Sequence, residues 1–281
     1  SDKSRAIASI KTALACNPGD PRYYFELDGL LAAAQRPHRE RLDILERHHD
    51  VVARRDDALL CEILLHVLCG EYARAIELLD SHHFHIWEGG ENSAHDIFVD
   101  AHLLRGRAHL SAGRSADALA DFSAAAEYPY RFEMGEPFDG GRSPEVYCLS
   151  GLAHEALADD VAAHAAFERS SQKSRPRTYL AFYQALSLRK LGREKEALAG
   201  FDGLIDLGRE MLRTGPVVDF FGKFDAAQDP VLHTATAHYL VGLGLMGRGD
   251  AKAAAKEFET AASININHLG AKTMLESPLG V

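Results

Sequence analysis

The chain has 281 residues, 46% hydrophobic and 26% charged, a balance that supports a large buried core and excludes disordered, collagen-like and fibrous proteins. Its net charge of −10 argues against duplex binding, because neutralising phosphates needs clustered Lys and Arg, and no nucleic-acid partner is expected. The longest apolar stretch, ALLCEILLHVLCG, carries Glu62 and His66 and falls short of the roughly 20 residues a bilayer requires; no membrane span is predicted, and four cysteines without a CxxC pair suit the cytoplasm.

In chain order, the opening SDKSR has neither an initiator Met nor a signal-peptide pattern, so the chain is expected to be mature, processed or excised. Ala6, Ile10, Ala13 and Pro18 fall where the second helix of a helical pair and its closing proline belong, giving a half repeat over 4–18 that either belongs to a longer protein or acts as a cap. A weaker unit follows at about 21–50, with Gln35 where glycine is expected at the turn. Five later segments then share one pattern: ARAIELL, ADALADF, VAAHAAF, KEALAGF and KAAAKEF each put a small residue four positions ahead of a bulky one.

The small residues are Ala75, Ala118, Ala163, Ala197 and Ala254; five positions before each stands a turn residue, Gly70, Gly113, Ala158, Gly192 or Gly249. Seven positions earlier again come Ile63, Gly106, Gly151, Ala185 and Gly242. This spacing predicts helix, tight turn, helix: glycine closes the first helix in the left-handed conformation, and small residues allow the two backbones to approach. Phe122, Phe167, Phe201 and Phe258 are expected to fill the space between neighbouring units.

Ala163 and Ala197 lie 34 residues apart, the period of about 34 that marks tetratricopeptide repeats. The other intervals of 43, 45 and 57 residues imply insertions. The prediction is an all-α tetratricopeptide solenoid, a right-handed superhelix of about thirteen helices, with repeats at about 21–50, 56–82, 99–129, 144–173, 178–208 and 235–266 and a C-terminal cap at 267–276. The chain is expected to form one such solenoid over 1–281.

First helices line the concave face of this repeat. Their predicted inner residues are mostly apolar: Leu64, Leu103, Leu104, Leu152, Phe182, Tyr183, Leu186, Tyr239 and Leu243, with Arg107 among them. So large an apolar surface needs a cover, either internal or from a partner. Arg107 and Arg189 are too few for the carboxylate clamp that acidic peptide tails require.

The first insertion, HHFHIWEGGENSAHDIF, concentrates His82, His83, His85 and His95 with Trp87, Glu88 and Glu91. Imidazole and carboxylate ligate metals, and a Trp face stacks on sugars. Without HExxH or another ligand spacing, the stretch reads as structural and no metal or other cofactor is assigned; His85, Trp87, Glu88 and Glu91 stand as a candidate loop site. Phe220, Phe221 and Phe224 form a candidate docking knob in the longest insertion.

His66, His109 and His154 occupy equivalent positions and read as core histidines, expected to destabilise the fold when protonated if they line up along successive helices. GLGLMG matches the dinucleotide fingerprint by letters only, since it follows a helical pattern and not a strand. No catalytic constellation is present in the sequence, and the chain itself is not read as an enzyme.

The stretches RERLDILERHHDVVARRDD, FHIWEGGE, ALADFSAAAEYP, FYQALSLRKLGREKEA and HYLVGLGLMGRGD followed by INHLGA resemble the C-terminal repeat region of a large bacterial protein family over nearly all of 17–272. In that family the repeats follow an uncharacterised, galactose-mutarotase-like, carbohydrate-acting N-terminal portion. The resemblance implies that any sugar-handling domain lies outside this chain. YRFEMGEPFDGG, after Pro129, departs from the family pattern. The functional expectation is a non-catalytic scaffold that docks the upstream domain of its own polypeptide, a second copy or a separate protein. The alternative is an accessory sugar or small-molecule site contributed by 82–98 to a carbohydrate-active protein.

Overall fold

The computed structural model describes residues 2–85, 93–137, 140–172, 178–215 and 229–279. Among these residues the chain is all-α, with no strand. Fifteen α-helices run in chain order: α1 (Asp2–Cys16), α2 (Pro21–Ala33), α3 (His38–Glu46), α4 (His49–Val52), α5 (Asp56–Leu68), α6 (Tyr72–Ser81), α7 (Ser93–Ser111), α8 (Ser115–Ala124), α9 (Ser143–Ala156), α10 (Asp160–Gln172), α11 (Leu180–Lys190), α12 (Glu194–Thr214), α13 (Pro230–Gly247), α14 (Ala251–Ile264) and α15 (Leu269–Glu276). A 3₁₀ turn spans Tyr130–Phe132. The count exceeds the expected thirteen or so partly because α4 is a separate helix of one turn. No described helix is long and apolar enough to cross a membrane.

The architecture is a tetratricopeptide-type α-solenoid of helix–turn–helix pairs, and its turns show why. Gly70, Gly113, Gly192 and Gly249 have φ between 74° and 85°, and the non-glycine residues Gln35 and Ala158 take the same left-handed conformation at 56° and 57°. In each case the next N–H reaches back along the closing helix: Glu71 to the His66 carbonyl at 2.8 Å, Arg114 to His109 at 2.9 Å, Asp159 to His154 at 3.0 Å, Arg193 to Leu188 at 2.9 Å and Asp250 to Leu245 at 3.0 Å. Arg36 does the same to Leu31 at 2.9 Å. This Schellman closure satisfies carbonyls that the helix end would leave orphaned.

The chain divides into two compact units. The first holds residues 1–104 and 128–135. Its centre is α5, buried along almost its whole length from Ala58 to Leu68, with Ala75 and Leu79 of α6 fully covered. Arg41 of α3, 1% exposed, makes a bidentate pair with Asp28 of α2 at 2.8 and 2.7 Å.

The second unit holds 105–127 and 136–281. Here the phenylalanines pack within their own helix pair. A Cβ built on Gly106, Gly151 or Gly242 would lie 2.4 Å from the ring of Phe122, Phe167 or Phe258 respectively. Expected between neighbouring units, each of these three rings also lies on the glycine of the preceding helix in its own pair, where a missing side chain leaves room. Phe201 does both, packing against Phe182 at 5.8 Å between centroids and meeting Gly247 of α13. Burying each such ring contributes about 1.5–3 kcal/mol. The glycines of GLGLMG all lie inside α13 and serve packing: Gly242 faces Phe258, and Gly244 and Gly247 face Phe201.

Candidate functional site

In the second unit, side chains from the first helices gather into a polar and aromatic cluster. Arg107, on the last turns of α7, is 7% exposed and its guanidinium donates to the main-chain carbonyl of Ser277, just past α15. Tyr179 donates to Glu145 Oε2 at 3.3 Å, and the same carboxylate is held by Arg142 at 3.0 and 2.8 Å. The Tyr179 ring lies 6.4 Å from both Tyr183 and Tyr239. Burial pushes the Tyr183 hydroxyl well above its ordinary pKa, with Glu145 and Tyr239 adding to the effect and Arg107 opposing it. The hydroxyl stays neutral and acts as a hydrogen-bonding group.

Helix α15 covers this cluster. The His268 ring lies 4.8 Å from Tyr239, and a Cβ on Gly270 would strike the Tyr239 ring at 2.6 Å. Burial pushes the His268 pKa down to about 4, which keeps its Nδ1 free to accept the Ala271 N–H at 3.1 Å as the N-cap of α15.

Of the predicted concave residues in this unit, Arg107, Phe182, Tyr183, Leu186, Tyr239 and Leu243 are buried and Leu152 is half-buried. In the first unit Leu103 is buried, and Leu64 and Leu104 are half-buried. These side chains are thus buried or half-buried within their own units, and in the second unit Glu145, Tyr179 and His268 are polar members of the cluster that repeat spacing did not nominate. Phe220, Phe221 and Phe224 lie outside the described residues, as do Trp87, Glu88 and Glu91.

In the first unit, His85 is described and exposed, and it stands with two residues outside the predicted loop site. His83 Nε2 is 2.8 Å and His85 Nδ1 3.1 Å from the same oxygen, Oε1 of Glu133. The strap is fixed by main-chain bonds: Phe84 N–H donates to the Arg131 carbonyl at 2.8 Å, and His85 N–H to Asp56 Oδ2 at 2.8 Å. His82 Nε2 lies 2.9 Å from the other Asp56 oxygen. Nothing in the sequence links Glu133 to the histidines.

A second histidine cluster is internal. His66, 1% exposed, has Nδ1 2.6 Å from Glu71, while Glu46 and Glu62 stand 3.7 and 3.9 Å from its Nε2. Arg39 pairs with Glu71 and His49 with Glu62. Burial opposes protonation of His66, but Glu62, Glu71 and Glu46 outweigh it and the pKa is raised. The expectation that a charged His66 destabilises the fold is corrected: its carboxylate neighbours favour the imidazolium. His109 and His154 also lie beside carboxylates, 3.6 Å from Asp121 and 3.8 Å from Asp159.

No family model matches the chain. Among solved structures it is similar to a tetratricopeptide repeat protein from Parabacteroides merdae, with 14% identity over 99% of this chain and 93% of that one and a TM-score of 0.48. It is also similar to the APC/C hetero-tetramer Cut9–Hcn1, with 12% identity over 99% and 46% of the two chains and a TM-score of 0.41. For YrrB, described as a TPR protein with an unusual peptide-binding site, the identity is 16% over 93% and 95%, with a TM-score of 0.26.

Proposed function

We propose that the chain is a non-catalytic protein-interaction scaffold, docking a partner protein or a companion domain of a larger bacterial polypeptide. One observation carries this reading. Buried Arg107 spends its guanidinium on a peptide carbonyl, that of Ser277, 170 positions away in the chain. A side chain so placed recognises extended backbone without reading sequence, and the tyrosines Tyr179, Tyr183 and Tyr239 supply apolar faces with polar tips beside it. On this reading the Ser277 carbonyl stands in for the backbone of a partner.

The test is to delete 277–281 and pan the shortened chain against a displayed peptide library. Enrichment of extended peptides whose capture is lost in Arg107→Ala supports the reading; enrichment no greater than with Arg107→Ala refutes it. The alternative, an accessory sugar or small-molecule site on 82–98, is favoured only by the convergence of His83, His85 and Glu133. In the full-length protein, unchanged activity of Glu88→Gln would dispose of a catalytic contribution from that loop.

A further inference from the structure

We infer that His83, His85 and Glu133 form a binding site for a divalent transition-metal ion of the zinc class. The inference goes beyond the scaffold reading and uses none of the residues on which that reading rests. It also departs from the sequence-based expectation of no metal, because the third donor comes from a residue 48 positions away from His85.

The site follows from strand-like geometry in a short strap. His82 leaves α6 in an extended conformation, φ −118° and ψ 146°, and in extended chain alternate side chains point to opposite sides. Phe84 therefore goes inward, 2% exposed, with its ring 6.0 Å from Phe132. His83 and His85 both go outward, with ring centroids 5.0 Å apart. The Phe84 N–H bond to Arg131 lays the strap beside the 3₁₀ turn, and Glu133 ends that turn in the left-handed region at φ 51°. The backbone, fixed at Asp56 and Arg131, thus presents two imidazoles and a carboxylate at one point.

The distances suit a small ion. The three donor atoms lie within 4.8 Å of one another. Tetrahedral zinc with bonds of about 2.0–2.1 Å separates its ligands by about 3.3 Å. The present separations of 2.8 and 3.1 Å from Glu133 Oε1 need to open by only a few tenths of an ångström. There is room for that, since the side chains of His83, His85 and Glu133 are 41, 72 and 33% exposed. Two imidazoles and one carboxylate favour zinc-class ions over calcium or magnesium, which take oxygen. Three protein donors on an open surface leave the ion's remaining position to water or a carboxylate ligand.

The other such cluster among the described residues, Glu46, His66 and Glu71, does not compete. Arg39 already neutralises Glu71, and His66 is enclosed with no open side.

The experiment uses the full chain without a histidine tag, stripped with chelator and titrated with ZnCl2 by calorimetry, then with Co²⁺ by visible absorption. One equivalent of zinc is expected, with an intense four- or five-coordinate Co²⁺ spectrum. His83→Ala and His85→Ala are each expected to weaken binding roughly 10-fold or more, and Glu133→Gln comparably. His83→Gln and His85→Gln, which keep polar side chains on the strap, give the same loss if folding of the alanine variants is in question. Absence of zinc binding, or undiminished binding in the His83→Ala/His85→Ala double variant, would overturn the inference, because the metal would then sit on others of the fifteen histidines.

Discussion

At the scale of single residues, the pair Asp28–Arg41 shows how a buried charge is tolerated. Both side chains are almost wholly covered, and each guanidinium N–H aimed at the carboxylate is matched at 2.7–2.8 Å. Asp28→Ala would take the bidentate carboxylate away from buried Arg41 and is expected to cost about 3–5 kcal/mol by chemical denaturation. Replacing both partners with apolar residues of similar volume should recover most of that loss, since the penalty comes from a buried charge that has lost its carboxylate. The sequence shows neither partner: repeat spacing marks where small and bulky residues go, but pairing across two helices depends on which faces meet. Turn residues were legible, because left-handed backbone recurs at a fixed offset even where the residue is Gln35 or Ala158.

At the scale of helices, α13 illustrates what glycine supplies besides turns. A Cβ on Gly244 would come 2.5 Å from the Phe201 carbonyl oxygen, and one on Gly208 of α12 2.5 Å from that of Ala237. The two helices thus touch backbone to backbone. Gly244→Ala ordinarily gains about 1 kcal/mol of helix propensity, but here the clash is with main chain, so net destabilisation of about 1–3 kcal/mol is expected in thermal melts. Helix α15 offers a pH-dependent case. Its cap His268 has a folded pKa of about 4, below the unfolded value of about 6.5. Stability is therefore complete above about pH 6.5 and declines as pH falls toward 4, by up to about 1.4 kcal/mol per unit, because the unfolded chain takes the proton first. Melting curves of His268→Asn, which keeps a capping oxygen and cannot titrate, should lose this component. His66 acts in the opposite sense: its raised pKa makes its contribution complete at low pH and lost as pH rises through the folded value.

At the scale of the molecule, fold class and helix order were legible because they rest on local periodicity, while both candidate clusters rest on pairings between distant segments. Arg107 to Ser277 spans 170 positions and His83 to Glu133 spans 50, and no local pattern encodes either. Arg107→Ala in the full chain is expected to raise hydrogen exchange at 277–279 while leaving α9 to α13 protected; unchanged exchange at the tail would show that the arginine does not hold it. The turns inside the helix pairs have a consequence for how such a chain diversifies. They are three residues long between α5 and α6, α7 and α8, α9 and α10, α11 and α12, and α13 and α14, each locked by the same backbone closure. Apart from one extra residue in the turn between α2 and α3, the additional chain enters at the joints between pairs, where the strap with the imidazoles and the segment with Glu133 both lie. New chemistry can accumulate at these joints without any hairpin having to be rebuilt.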